Sequence, residues 1–77
     1  MLSTPHAALG QALRSVRLAA GLSQEKLALA SGVQRNFISL IETGQNQPTI
    51  GTIFKLAAAL KVKPSQLLAT AEKLLGL

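Results

Sequence analysis

The sequence predicts an all-α protein, a compact bundle of five helices in one domain over residues 1–77. The chain is 48% hydrophobic but has only two aromatic residues, so Leu, Ala, Ile and Val must build its core, which suits helices better than a sheet. Apolar residues recur at steps of three and four along the chain, and no strand-like alternation occurs. Gly, Ser, Thr and Pro separate these segments at positions typical of helix ends.

The first two helices are predicted on either side of Gly21. The first covers residues 6–20 and is amphipathic, with apolar residues at helical spacing: Leu9, Leu13, Val16 and Ala20. Ser23 is a suitable N-cap for the second helix, because its hydroxyl can accept a hydrogen bond from a backbone N–H of the first turn. Gly32 closes that helix, whose inner face is expected to consist of Leu27, Ala28 and Ala30.

Three further helices are predicted after Gly32. The third covers about residues 34–43 and is followed by a loop that begins at Gly44. The fourth is capped by Thr49 and carries an apolar row: Ile53, Leu56, Ala57 and Leu60. The fifth covers about residues 64–75 and opens with Pro at its first position, where the missing N–H costs nothing.

Residues 24–43 show the pattern of a helix-turn-helix, which is two short helices joined by a tight turn. Ala28 is small where a second helix would cross, and Gly32 suits a turn that needs positive φ. Three apolar anchors would hold the second helix in place: Val33, Ile38 and Ile41. An ordinary helical hairpin explains any one of these residues, but the combination favours the motif.

Composition restricts the classes of function. Eight Lys and Arg against three Glu give a net charge of +5, which favours a polyanionic partner, although small basic proteins are often merely soluble. The chain has no cysteine and a single histidine, so neither a metal nor another cofactor is expected. No segment resembles a membrane span, a signal peptide, a catalytic triad or a Gly-rich phosphate loop. We therefore expect a cytoplasmic protein that is not an enzyme and has no membrane or small-molecule partner.

The second helix of such a motif enters the major groove of double-stranded DNA with its N-terminal residues first. Gln34, Arg35, Asn36, Ser39 and Leu40 are therefore the expected base contacts. The fork of Arg35 can hold guanine O6 and N7 together, and Asn36 or Gln34 can do likewise with adenine N6 and N7. Leu40 is either a contact to a thymine methyl group or simply an exposed apolar residue.

Contacts to the DNA backbone are expected from two other segments. Ser23 and Gln24 open the second helix, where side chains and free N–H groups can hold a phosphate. The loop residues Gln45, Asn46 and Gln47 would contact the backbone through neutral hydrogen bonds rather than charges.

The fifth helix carries more apolar residues than a small core needs. Leu67 and Leu68 are expected to close the core, and the surplus predicts a surface for a partner. A homodimer would place two recognition helices in successive major grooves, ~34–36 Å apart. Its interface is expected to use some combination of Leu67, Ala71, Leu74 and Leu75, whereas packing of this helix within a monomer is the alternative.

The stretch "LSQEKLALASGVQRNFISLIETGQNQPT" resembles the core of the XRE-family, lambda-repressor-like helix-turn-helix domains. The similarity extends from about Leu9 to Leu68, and the short chain is similar to the controller proteins of restriction–modification systems. The resemblance implies that Arg17 and Glu42 pair between the first and third helices, where two independent surface charges are the alternative. It also implies a sequence-specific transcriptional regulator that acts as a dimer on a palindromic operator.

A second interpretation is a helix-turn-helix protein-interaction module, or an antitoxin-like component, with weak or no DNA binding. The uncharged loop and Leu40 favour this interpretation, and Arg35, Asn36 and the net charge oppose it. Within the regulator class, the sequence does not separate a restriction–modification controller from an antitoxin-like autorepressor or a phage-type repressor.

Overall fold

The computed structural model describes residues 4–77, most of which lie in five α-helices without any β-strand among the described residues. The helices are α1 (Pro5–Ala19), α2 (Gln24–Ser31), α3 (Arg35–Glu42), α4 (Ile50–Leu60) and α5 (Pro64–Leu74). The predicted all-α, five-helix architecture is thus confirmed, and the helix bounds differ from the sequence-based ones by a single residue at most. Residues 1–3 of the predicted domain lie outside the described residues.

Side-chain caps fix where the helices begin. The hydroxyls of Thr4, Ser23 and Thr49 each accept a hydrogen bond from the backbone N–H three residues later, at 3.3, 3.1 and 3.2 Å. At the start of α5, the backbone N–H of Lys63 instead donates to Oε1 of Gln66 at 2.8 Å. These bonds satisfy N–H groups that have no partner inside their own helix, so each helix start is set locally.

The core forms where the helices cross. Helix α1 packs against α3 and α5, while α2 packs against α3 and α4, and α4 also contacts α5. The main cluster of buried side chains joins α1, α2, α3, α4 and the turn before α3: Leu13, Leu27, Val33, Ile38, Ile41, Leu56 and Leu60. The three predicted anchors of the helix-turn-helix are all in this cluster, so the apolar side of α3 faces the core.

Two residues expected inside lie at the surface. Ala30 is exposed, because the inward side of α2 follows residues 24, 27, 28 and 31, and Ala30 falls on its flank. Leu68 is 43% exposed, because it is turned about 100° around α5 from the fully buried Leu67. A short helix buries a narrow stripe, so neighbours of a buried residue do not all follow it inward.

Gly10 allows α1 to pack unusually close to the end of α3. A Cβ added at this buried position would overlap the carbonyl oxygen of Ile41 and would lie 3.1 Å from that of Glu42. Backbone atoms cannot move aside as a flexible side chain can. The absence of a side chain at Gly10 therefore sets the distance between α1 and α3.

We expect Gly10→Ala to lower the melting temperature. Overpacking against the α3 backbone lowers the free energy of unfolding by about 1–3 kcal/mol, which outweighs the gain of about 1 kcal/mol from the higher helix propensity of alanine. Thermal or urea unfolding measures the effect. Gly51→Ala is the matched control, because Gly51 is also helical but exposed, and a Cβ added there would lie 3.8 Å from Thr49 Oγ1, an ordinary van der Waals distance. That variant should be as stable as the wild type or more so. Equal stability of both variants would refute the close-packing argument.

Candidate nucleic-acid interface

Helix α3 has a buried apolar side and a polar side that faces outward, with the buried Glu42 at its end. Ile38 and Ile41 are fully buried on one side. Arg35, Asn36 and Thr43 are exposed on the other, and Ser39 is half-buried between them. We call these four polar residues the α3 polar face; Gln34, exposed and extended just before the helix, adjoins it.

Thr43 belongs to the α3 polar face but was not among the residues proposed from the sequence. Its hydroxyl donates to the carbonyl oxygen of Ser39 at 2.9 Å and accepts from Nε2 of Gln45 at 2.9 Å. The spacing of four residues from Ser39 and eight from Arg35 is the sequence signal that could have identified it. Gln45 is thereby held against the end of α3.

The loop after α3 folds back onto the helix. The carbonyl oxygen of Leu40 accepts from the backbone N–H groups of Gln45 and Asn46, at 2.9 and 3.2 Å, and the Leu40 side chain is half-buried on the flank of the helix. Asn46 and Gln47 are exposed. The loop therefore presents neutral amides beside the α3 polar face.

The start of α2 lies at the same end of the motif. The Ser23 hydroxyl caps the N–H of Lys26, which leaves the first-turn N–H groups of Gln24 and Glu25 without an intrahelical partner. The Gln24 side chain is half-buried and donates through Nε2 to Oε1 of Glu42 at 3.1 Å. This bond ties α2 to the last residue of α3, and nothing in the sequence pattern pointed to it.

The structure shows a bidentate ion pair between Arg17 and Glu42. Nε of Arg17 lies 2.6 Å from Oε2 of Glu42 and Nη2 lies 2.9 Å from Oε1, with the two side chains only 7% and 2% exposed. The hydrogen bonds to Glu42 raise the pKa of Arg17 above its usual value, and the charge of Glu42 adds to this against the effect of burial. Nη1 also donates to the carbonyl oxygen of Leu22 at 2.9 Å. Removing one partner of such a buried pair costs about 3–5 kcal/mol, because the other charge stays buried and uncompensated.

Two of the residues proposed for a dimer interface are not available for one. Leu67 and Ala71 are 1% and 6% exposed within the single chain, so they leave almost no surface for contact with a second copy. The reason is the small side chains of α1: Ala8 and Ala12 let α5 pack close enough to bury Ala71. Leu74 and Leu75 are half-buried against this cluster, so most of the apolar stripe of α5 belongs to the chain's own core.

Other sites are absent from the part of the chain that the structure describes. No group of His, Cys, Asp or Glu among residues 4–77 is arranged to hold a metal ion. Over the same residues, no helix has the length and apolar character that crossing a membrane requires.

A capped helix is followed across a tight turn by a short second helix, which packs by its apolar side and turns a row of polar side chains outward. These features define the helix-turn-helix class of DNA-binding proteins. The chain belongs to the XRE-type helix-turn-helix family HTH_3, whose profile matches residues 13–67. This is a family of DNA-binding transcriptional regulators and not of enzymes.

Controller proteins of restriction–modification systems are among the relatives. The control protein C.BamHI of Bacillus amyloliquefaciens is 42% identical over 60 residues, which cover 77% of this chain and 74% of that protein. The structure of the controller protein C.AhdI of Aeromonas hydrophila is 44% identical, with a TM-score of 0.77 over 79% of this chain and 92% of that one.

A third relative was crystallised with DNA. The controller protein C.Esp1396I, as a tetramer in complex with its natural 35 base-pair operator, matches with a TM-score of 0.87 and 25% identity. The match covers 99% of this chain and 100% of that one.

Proposed function

We propose that the protein is a sequence-specific transcriptional regulator that binds double-stranded DNA as a homodimer on a palindromic operator. The observation that carries the proposal is the α3 polar face, which points away from the core because Ile38, Ile41 and the ion pair of Glu42 hold the helix from its other side and its end. The tetramer of a related controller protein on its operator supports the assembly of several copies on DNA.

Each polar residue of the motif takes a role from its chemistry. Arg35 reads a guanine through two hydrogen bonds, and Asn36 or Gln34 reads an adenine in the same way. Ser39 contacts a base or a phosphate one turn further along. Leu40, on the flank of α3, contacts a thymine methyl group.

Contacts to the DNA backbone would come from mostly neutral groups. Ser23 and Gln24 bring the free N–H groups at the start of α2, where the helix dipole favours a phosphate. Asn46 and Gln47 extend amides from the loop, while Gln45 is already engaged with Thr43. We therefore assign Gln45 a smaller share of the backbone contacts than its neighbours.

We expect Arg35→Ala to relax base preference at one position in each half-site and to cost about 1–3 kcal/mol there, because a bidentate contact to guanine is lost. Binding titrations on an operator and on single-base variants measure this. Lys55→Ala is the matched control, since it removes an exposed positive charge from α4 and should preserve base preference.

Equal loss of affinity of the Arg35 variant for every duplex would instead make Arg35 a phosphate contact. Failure of the wild-type protein to bind any duplex, even at low salt where phosphate contacts are strongest, would favour the protein-interaction module.

The dimer requires an apolar surface other than the buried part of α5. Ile50 and Phe54 lie one turn apart on the outer side of α4 and are 67% and 57% exposed, so water covers much of two large apolar side chains. Helix α4 follows α3 directly through residues 43–49, which keeps this surface close in the chain to the α3 polar face. Two copies related by a two-fold axis would bury it against itself. We assign the centre of the dimer interface to Ile50 and Phe54.

We expect Phe54→Glu to give a folded monomer that binds a palindromic operator much more weakly, because each of two buried carboxylates would lack a partner. Analytical ultracentrifugation at high micromolar concentration measures the oligomeric state, and circular dichroism checks the fold. Leu68→Glu is the matched control on α5, where an exposed leucine is replaced in the same way. Dissociation by Leu68→Glu alone would move the interface to α5, and a monomeric wild type would refute the dimer.

A further inference from the structure

The side-chain amide of Gln24 has its orientation set by Glu42. An ionised carboxylate can only accept hydrogen bonds, so the group that faces it at 3.1 Å must be the NH₂ of Gln24 and not the amide oxygen. One proton of Nε2 points to Glu42, and the second proton remains available. The orientation of this amide thus follows from the charge of its neighbour.

Glu42 is in turn held in place by Arg17. The guanidinium engages both carboxylate oxygens and also donates to the Leu22 carbonyl oxygen, which fixes it to the loop before α2. Oε1 of Glu42 therefore accepts from both Arg17 and Gln24, at 2.9 and 3.1 Å. Because Arg17 compensates the negative charge, Glu42 can orient Gln24 without strongly repelling an approaching phosphate.

Gln24 is the first residue of α2, beside the N–H groups that have no intrahelical partner. A long side chain at such a position normally loses rotamer freedom when it binds, which weakens binding. Here the bond to Glu42 restricts the side chain before any partner arrives. Preorganisation of this kind favours binding at the backbone site but carries no information on base sequence.

We propose that Glu42 is a positioning residue for binding to the DNA backbone, acting through Gln24, whose second Nε2 proton donates to a phosphate oxygen. The proposal rests on the proposed function, because it names the group of the DNA, a backbone phosphate, that the start of α2 would contact. It gives the buried ion pair a role in DNA binding in addition to its role in stability.

Glu42→Gln distinguishes this role by the sign of its effect. The substitution removes a negative charge, so electrostatics alone would leave DNA affinity unchanged or raise it. A positioning role instead lowers it, because the new amide no longer imposes one orientation on Gln24. We expect affinity for operator and for unrelated duplexes to fall by a similar factor, about fivefold, which is less than loss of the whole bond to a charged phosphate because only the orientation of the donor is lost.

The experiment is a double-mutant cycle of Glu42→Gln and Gln24→Ala, measured as binding to duplex DNA well below the lowest melting temperature. We expect each single variant to weaken binding and the double variant to be no weaker than Gln24→Ala alone. Gln11→Ala, at an exposed glutamine of α1, is the control and should bind like the wild type. Additive effects, or a Glu42→Gln variant that loses stability but keeps its affinity, would overturn the positioning role.

A measurement on the wild-type protein guards against a Glu42 variant that does not fold. In ¹⁵N-edited NMR spectra, we expect the two side-chain NH₂ protons of Gln24 to be well separated without DNA, and only one of them to shift when a duplex is added. Equal shifts, or none, would overturn the proposal. A wild-type protein that binds no duplex at all would overturn the proposed function itself, whereas binding without coupling would overturn only this inference.

Discussion

The buried ion pair between Arg17 and Glu42 is the constraint on which the motif depends. A carboxylate at the C-terminal end of α3 meets the negative end of the helix dipole, and burial adds a desolvation cost. Arg17 offsets both with two hydrogen bonds, and a third bond to Leu22 connects the pair to the loop before α2. With Gln24 added, one cluster joins α1, α2 and α3, so the geometry of the motif does not rest on apolar contacts alone.

Small residues of α1 make this arrangement possible. Gly10 lets α1 approach the end of α3 at Ile41 and Glu42. Arg17, the partner of Glu42, lies about two turns further along α1. Ala8 and Ala12 let α5 close on the other side. Because α1 packs against both α3 and α5, α3 is held by its apolar side and by Glu42 at its end. The opposite side of α3 is then free to carry hydrogen-bonding groups whose choice is not limited by packing.

Local signals made most of the fold predictable. Ser23 and Thr49 act as caps, and Gly32 adopts a φ of 76° at the end of α2. The anchors of α3 are buried. Each of these features was predictable because it depends on a few neighbouring residues. Of the polar row that the sequence predicts, Gln34, Arg35 and Asn36 are exposed and Ser39 is half-buried. What these residues bind remains a prediction, since their exposure alone identifies no partner.

Long-range contacts account for what the sequence did not reveal. The sequence of α5 has a surplus of leucines, which predicted a surface for a partner. Local pattern does not reveal that Ala8 and Ala12 allow α1 to cover Ala71. Nor does it reveal that Leu67 is buried with Ile53 and Ala57 of α4. The bond from Gln24 to Glu42 joins residues 18 positions apart and has no local signature.

Selection of bound sequences from a random duplex pool tests the central claim, that two copies present their α3 polar faces to DNA. We expect an inverted repeat with half-sites about one helical turn, ~34–36 Å, apart from centre to centre. A pool without enrichment, or a single asymmetric site, would contradict the account.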